Sequence, residues 1–411
     1  MRRAGSAGRL MFSGTARDTR STSTQVARAV VATLAAPLLF ASACGRETSG
    51  PIETVATWSV DSAPSLVIGL DAAHDTSVTF ERITGATQLP TGQLLVADLG
   101  DTPLRLFEPD GRFVRAVARK GGGPGEMEYL ARLWRCGDAI YTYDIDGYRI
   151  SEYGVDATFR RVFRFAVPDG QQVPYSTACN ATGRFAHLGW GNAPRVAGYH
   201  RDTVAIWITP TADGTPTVLD SVPSSERWGQ TYQGRLVGSM PLPLGKQPSI
   251  AYGPRGFFVA TGDAVEVLAY DTLGVSLGRF SIGDSVPAVT PADIRDFIEA
   301  EIAEDGEQRR ASIEREYAAI TFPEKHGAVT ALLVDSEGLL WLRAYAPPSA
   351  ATVTWRVLSA DGREVAQVMM PRQLEIFEIG RDYVLGREVD REEGVPVLQR
   401  WRINRTAPVN D

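Results

Sequence analysis

Six times along the chain a glycine stands immediately before a short apolar run: Gly92 before QLLVAD, Gly137 before DAIYTYD, Gly183 before RFAHLG, Gly256 before FFVATG, Gly338 before LLWLRAY and Gly380 before RDYVLG. Runs rich in Val, Ile, Leu, Phe, Tyr and Trp, separated by Gly, Asp, Asn and Pro, are the mark of consecutive antiparallel strands. The six glycines are 45, 46, 73, 82 and 42 residues apart. Three of these intervals match the ~40 to 50 residues of a four-stranded repeat, and the other two contain insertions. A second turn, later in each repeat, centres on an acid: Asp110, Asp156, Asp213, Asp271 and Asp361. Asp-Gly suits a tight hairpin in which both central residues take positive φ, which Gly accepts freely and Asp tolerates.

The acid-centred turns number five, because the sixth repeat ends near Arg405 after its third strand, LQRWRIN. Residues 55 to 69 meanwhile form a surplus strand region ahead of the first repeat. A ring whose last unit takes its outer strand from the N-terminus accounts for both, and such closure removes exposed strand edges. The expected fold is therefore all-β: a six-bladed β-propeller of four-stranded antiparallel blades over residues 54–405, closed by the N-terminal strand. If the Gly and Asp turns join strands one to two and three to four, they share one face of the disc. The insertions, about 220–247 and about 283–328, then leave from the opposite face, where repeat folds most often build a binding surface.

The second insertion carries the helical signal, at about 290–320. Thr290-Pro291-Ala292-Asp293 offers an N-cap hydroxyl, Pro at the first helical position and an acid for the free amides. Ile294, Phe297, Ile298 and Ile302 recur on one face, Asp305-Gly306 interrupts, and Ile313, Tyr317 and Ile320 resume the stripe. Asp296, Glu299, Glu301 and Glu304 form an acidic outer face whose simplest state is solvated.

The N-terminus reads as an export signal over residues 1–43. Arg2, Arg3, Arg9, Arg17, Arg20 and Arg28 precede an uncharged stretch from Ala29 to Ala43. At roughly 15 residues that stretch is shorter than the ~20 a membrane-crossing helix needs. Met11 is an alternative start to Met1. Ala41-Ser42-Ala43-Cys44 resembles a bacterial lipobox, with Ala41 where Leu is preferred. Lipidation of Cys44 is favoured over plain cleavage after Ala43, because exported chains seldom leave an unpaired thiol at the first residue. Residues 44–53 then form a flexible tether, small and polar with one Pro, and residues 406–411 a C-terminal tail. The expected location is the cell envelope, on the periplasmic side of a membrane. Cys136 and Cys179 remain, and in an oxidising compartment they read either as a disulfide or as two buried thiols.

The composition of the full chain, 44% hydrophobic with 22% charged residues, excludes disorder and a multi-span membrane protein. Net charge is −7 overall and −12 once the leader, with six Arg and one Asp, is set aside. An acidic body does not neutralise phosphates, which argues against a nucleic-acid partner.

Arg119-Lys120-Gly121-Gly122-Gly123-Pro124-Gly125-Glu126 resembles the Gly-Pro-Gly-Glu/Phe loop of bacterial six-bladed β-propeller proteins related to NHL repeats. The segment FPEKHGAVTALLVDSEGLLWLRAY is similar to the fifth-blade segment of the same group, which also carries a helical insertion before it. The resemblance spans nearly the whole mature chain. It implies a propeller fold and, since many members are envelope lipoproteins, a membrane anchor; it implies no reaction. Met127 stands where the family usually has Phe.

Motifs for chemistry are few. The glycine run 121–125 lacks the following Lys-Ser/Thr pair of a phosphate cradle. His74, His187, His200 and His326 lie far apart with no HExxH, and there is no Gly-x-Ser-x-Gly elbow after the leader. Asp144-Ile145-Asp146-Gly147 opens like a calcium loop but lacks the later acidic ligand, so a plain turn is the stronger reading. No cofactor is assigned. The first strands of the repeats, among them ARLWRC and LEIFEI, read as mostly apolar or small. That weighs against a metal-dependent hydrolase or lyase with its site at the channel mouth, the alternative to a binding or interaction module. On the insertion-bearing face Trp228 and Tyr232, expected in a long polar loop, and Arg343 and Tyr345, at the end of an inner strand, are the candidates for contacting a protein or small-molecule partner.

Overall fold

The structure, a computed structural model, describes residues 55–70, 76–174, 176–192, 196–283, 285–389 and 394–405. The leader, Cys44, the tether, His74 and the C-terminal tail lie outside the described residues. The described chain is mostly β, and its strands fall into consecutive four-stranded antiparallel sets in the arrangement of a β-propeller. Set 1 comprises Ile83–Gln88, Leu94–Asp98, Leu104–Phe107 and Phe113–Ala118; set 2, Leu130–Cys136, Ala139–Asp144, Arg149–Gly154 and Phe159–Phe163. Set 3 comprises Ser176–Cys179, Phe185–Leu188, Thr203–Thr209 and Thr217–Pro223; set 4, Ser249–Gly253, Gly256–Ala260, Glu266–Asp271 and Ser276–Ser281. Set 5 comprises Ala331–Val334, Leu340–Arg343, Thr352–Leu358 and Glu364–Pro371. Set 6 has three strands from the C-terminal part, Glu375–Ile379, Tyr383–Val389 and Pro396–Asn404, and its fourth, Leu66–Ile68, from the N-terminus.

Each first strand neighbours the next, and that of set 6 returns to that of set 1. The apolar clusters obey the same order. Leu95 and Leu104 pack with Ile140 and Tyr153 between sets 1 and 2, and Tyr141 and Ile150 with Phe185 between sets 2 and 3. Ile206 and Val222 pack with Phe257 and Tyr270, Phe258 and Val267 with Leu340 and Leu358, and Trp355 and Val368 with Val384 and Trp401. Leu385 and Leu398 of set 6 meet Ile83, Leu94 and Phe107 of set 1. Second strands lie between neighbouring sheets on both faces, so Leu94–Asp98 and Gly256–Ala260 are buried throughout. Outer strands such as Phe159–Phe163 face water along most of their length.

The closure is more elaborate than one borrowed strand. Leu66–Ile68 pairs antiparallel with Leu398–Arg400, completing set 6. Ahead of it, Ala56–Val60 pairs parallel with Ala366–Val368 of set 5 and antiparallel with Ile403 and Asn404 of set 6. The two sets thereby become one continuous nine-stranded sheet. At this seam Trp58 packs against Trp341 with ring centres 5.9 Å apart, and the Arg405 guanidinium lies over both rings at 5.0 and 5.6 Å. Arg405 also pairs with Asp335 at 2.8 Å, and Asp335 accepts from Trp341 Nε1 at 2.9 Å.

All six glycine turns join first to second strands, and all five acid-centred turns join third to fourth. The acid-centred turns differ in conformation from the expected two-residue hairpin. In four of the five turns positive φ falls on one residue only, Gly111, Ala157, Gly274 or Gly362, in the turn at Asp213 on none, and never on the Asp. The Asp carboxylate instead accepts the backbone N–H two residues on, as from Asp110 to Arg112 and from Asp156 to Thr158. This Asx geometry lets the Asp keep ordinary φ and leaves the left-handed position to its successor.

Both insertions leave from connections between a fourth strand and the next first strand. The second contains α1 (Pro291–Asp305) and α2 (Arg310–Ala318), with a capping box between Thr290 and Asp293. Ile302, Ile313 and Tyr317 form a small core with Phe297 and Met240. The acidic face of α1 is largely engaged rather than simply solvated. Asp296 accepts from Ser349 N, Glu299 pairs with Arg310, and Glu301 accepts from Tyr317 Oη. The first insertion is not a loop: Arg227–Tyr232 and Arg235–Pro241 form a sheet with Gly198–His200, a strand from the second-to-third connection of set 3.

Two predictions follow from this packing. Trp58→Ala removes the half-buried ring at the seam and should lower stability by about 2 kcal/mol, measured by urea denaturation. His187 is buried with Nδ1 3.0 Å from Thr177 Oγ1 and Nε2 3.2 Å from Thr209 Oγ1, and burial pushes its pKa down to about 3. The unfolded chain takes up this proton near the ordinary value of 6.5, whereas the fold resists it. Stability should be full above that value and fall as pH drops toward 3. His187→Gln should flatten the pH dependence by about 2 kcal/mol between pH 7 and 5.

Candidate functional site

Antiparallel alternation places the start of every first strand, the end of every second strand and both insertions on one face. There a cavity of about 380 Å³ opens, lined from four strand sets. Set 1 and its flanks contribute Arg82, Thr84 and Leu99; set 2 contributes Tyr129, Arg132, Trp134 and Tyr143; set 6 contributes Glu375 and Arg387. Phe165, Val173 and Pro174, from the connection into set 3, and Trp190, just past its second strand, complete the wall.

The aromatic side is fixed by its own contacts. Trp134 Nε1 donates to Thr177 O at 2.9 Å, while Phe165 packs against Trp134 and Tyr143 with ring centres 6.2 and 5.3 Å away. One turn of chain beyond Trp134 and Thr177, Cys136 and Cys179 form a disulfide with Cα atoms 5.7 Å apart, joining the first strands of sets 2 and 3. Gly137 follows at φ +64°, where a Cβ would lie 2.1 Å from Ala181 O, so only glycine allows the two strand ends this close. The Tyr143 hydroxyl is buried without a hydrogen-bond partner, and burial, then Tyr148 and Asp144, raises its pKa.

The polar side is cationic. Arg387 donates from Nε to Glu375 Oε2 at 2.8 Å and reaches Ile83 O. Among the described residues Arg132 donates to the carbonyl of its neighbour Ala131, at 3.0 Å. Among the described residues Arg82 and Arg132 make no ion pair. Further along the channel Glu378 links three sets: it accepts from Thr87 and Tyr383 and lies 3.8 Å from Arg135. The first strands are thus less apolar than their composition suggests, because Arg132, Trp134 and Glu375 line the cavity and Arg135 faces Glu378 between sets 2 and 6.

The four candidates from the sequence do not form one constellation. Trp228 and Tyr232 sit on a strand, not in a loop. Trp228 stands opposite Tyr199 and Met240, and Tyr232 is exposed beside the hairpin tip. Gln230, on the same strand, donates to Glu316 of α2 at 3.2 Å, so this sheet supports the helices. Arg343 donates to Thr330 Oγ1 at 3.2 Å and to Arg372 O at 3.0 Å; burial and Arg372 lower its pKa. Tyr345 stacks on His326 at 3.6 Å with its hydroxyl 3.4 Å from Asp293, and burial followed by Asp293 pushes its pKa up to about 12. Tyr345 therefore holds the helical insertion to set 5, whereas Arg343 ties set 5 to the connection into set 6.

The glycine run and the Asp144 turn belong to one structural device. Asp144 accepts from Glu128 N, Tyr129 N and Arg149, and these bonds outweigh burial to hold its carboxyl below the usual range. Arg149 in turn donates to the carbonyls of Gly121, Gly122 and Gly123. A loop that presents carbonyls to a cation is no anion cradle. Asp98 and Arg105 repeat the device in set 1, with Asp98 accepting from Glu81 N and Arg82 N. Asp144 is fully used, and among the described residues no three His, Cys, Asp or Glu side chains come together as a metal-binding group. The cavity offers guanidinium groups where a divalent ion needs carboxylates, so its residues do not fit a channel-mouth metal.

No protein-family model matches the chain, and no curated protein sequence does. Among solved structures, a candidate exported protein of Bacteroides fragilis aligns over 87% of this chain and 97% of its own, at 13% identity and TM-score 0.44. A member of the duf4221 family from Bacteroides vulgatus aligns over 86% and 100%, at 10% identity and TM-score 0.49. A gluconolactonase from Xanthomonas campestris aligns over 86% and 99%, at 11% identity and TM-score 0.41. Likenesses this distant assign neither a ligand nor a reaction.

Proposed function

We propose that the chain is an exported, lipid-anchored six-bladed β-propeller of the NHL-like kind that binds a small molecule at the mouth of its channel. The six strand sets, with an apolar cluster at each joint, support the blade number. The observation that carries the binding reading is the cavity itself. Four strand sets converge on it, and its aromatic wall is fixed by the Trp134–Thr177 hydrogen bond, by ring packing and by the disulfide just beyond. Pockets with apolar walls and a few convergent polar groups are the usual form of a small-molecule site. The insertion sheet and helices rise from the same face and would frame the entrance, with exposed Tyr232 as the part of them open to a protein partner.

The cavity reading is tested by thermal unfolding of the domain from residue 45 onward, screened against a panel of anionic, neutral and cationic small molecules. At 100 times its Kd a ligand stabilises by about 2.7 kcal/mol, an easily read shift. At least one class should shift the wild type and fail to shift Val173→Trp, which fills the cavity from a loop. Equal shifts in both proteins, or none in either, would count against the site. Anchoring is tested by fractionation: Cys44→Ala should move the protein from the membrane to the soluble periplasmic fraction, because two or more acyl chains are what hold such a domain at a bilayer.

A further inference from the structure

We infer that the molecule bound at the channel mouth is an organic anion, with its charged group, a carboxylate, on a planar apolar body; this rests on the cavity reading above. The argument starts from how the chain uses its arginines. Arg105, Arg149, Arg201, Arg356 and Arg405, each at least partly buried, pair with Asp98, Asp144, Asp263, Glu364 and Asp335. Acids outnumber bases by 12 once the leader is set aside, so partners are plentiful. Even so, Arg82 and Arg132 face a concave site with no carboxylate engaged, and the one acid in the lining, Glu375, is already held by Arg387.

A planar guanidinium with free N–H groups matches a carboxylate in shape and charge. Two of them lining one cavity of an acidic protein favour an anion over a neutral or cationic ligand. The same cavity is lined by Tyr129, Trp134, Phe165 and Trp190, whose rings supply its apolar wall. A small inorganic anion would leave the aromatic wall uncovered, whereas an apolar molecule without charge would bury the two guanidinium groups unpaired.

Isothermal titration of the domain with 2-naphthoate, 2-naphthamide, 2-naphthylmethylammonium and inorganic phosphate separates these possibilities. The inference requires naphthoate to bind at least tenfold tighter than the other three. Arg132→Gln and Arg82→Gln, both at exposed positions, should each weaken naphthoate by about tenfold and leave the amide unchanged, as expected for loss of one charged hydrogen bond. Naphthoate binding no tighter than the amide, or insensitivity to both substitutions, would overturn it. If the amide or the ammonium binds best and Val173→Trp abolishes that binding, the cavity reading stands and the anion is wrong. Phosphate binding as tightly as naphthoate would refute the apolar body. Binding by none of the four overturns the inference, while the broader thermal panel decides the cavity reading.

Discussion

The pairing of the N-terminal strands with the C-terminal strand Pro396–Asn404 is the constraint on which the rest of the molecule depends. Without Leu66–Ile68 the strand at 396–404 would present an open edge, and without Ala56–Val60 sets 5 and 6 would not be joined into one sheet. An unpaired edge exposes a row of amides and carbonyls to association with other chains. The seam is reinforced by a cation between two indoles and by Asp335, which takes hydrogen bonds from both Trp341 and Arg405. On the other side of set 6, Leu385 and Leu398 pack against Phe107, and Glu378 reaches Thr87. The channel and its mouth exist only while these contacts hold.

Much of this architecture is legible in the chain. The Gly and Asp turns mark hairpins through local conformational needs, and local needs survive in any tertiary context. The helical insertion is legible for the same reason, since Thr290, Pro291 and Asp293 state a helix start among themselves. The deficit of one turn beside a surplus of strand at the N-terminus reveals the closure. What it does not reveal is that Ala56–Val60 pairs in parallel with set 5, because strand partners at a sequence separation of about 310 residues leave no local trace.

The site is far less legible. ARLWRC reads as an ordinary inner strand until its neighbours fix which side faces the axis; only then do Arg132 and Trp134 become a wall. Trp228, Arg343 and Tyr345 attract notice by residue type, yet Trp228 and Tyr345 pack within and against the insertions, and Arg343 ties set 5 to the connection into set 6. The available signal was the repeated pairing of Asp98 with Arg105 and Asp144 with Arg149. It shows where arginines are structurally committed and so, by contrast, where they are not.

The bond between Cys136 and Cys179 bears on which joint of the ring is tied. It sits directly beyond Trp134 and Thr177, on the joint between sets 2 and 3 that carries the aromatic wall, and a quarter of the chain away from the seam. A ring that breathes at its clasp can therefore keep its pocket side tied. In a reducing environment the same joint would still hold the Trp134–Thr177 hydrogen bond and the Arg161–Asp213 ion pair, but no covalent tie. The pocket side of the ring thus carries a covalent link that the described residues of the clasp do not.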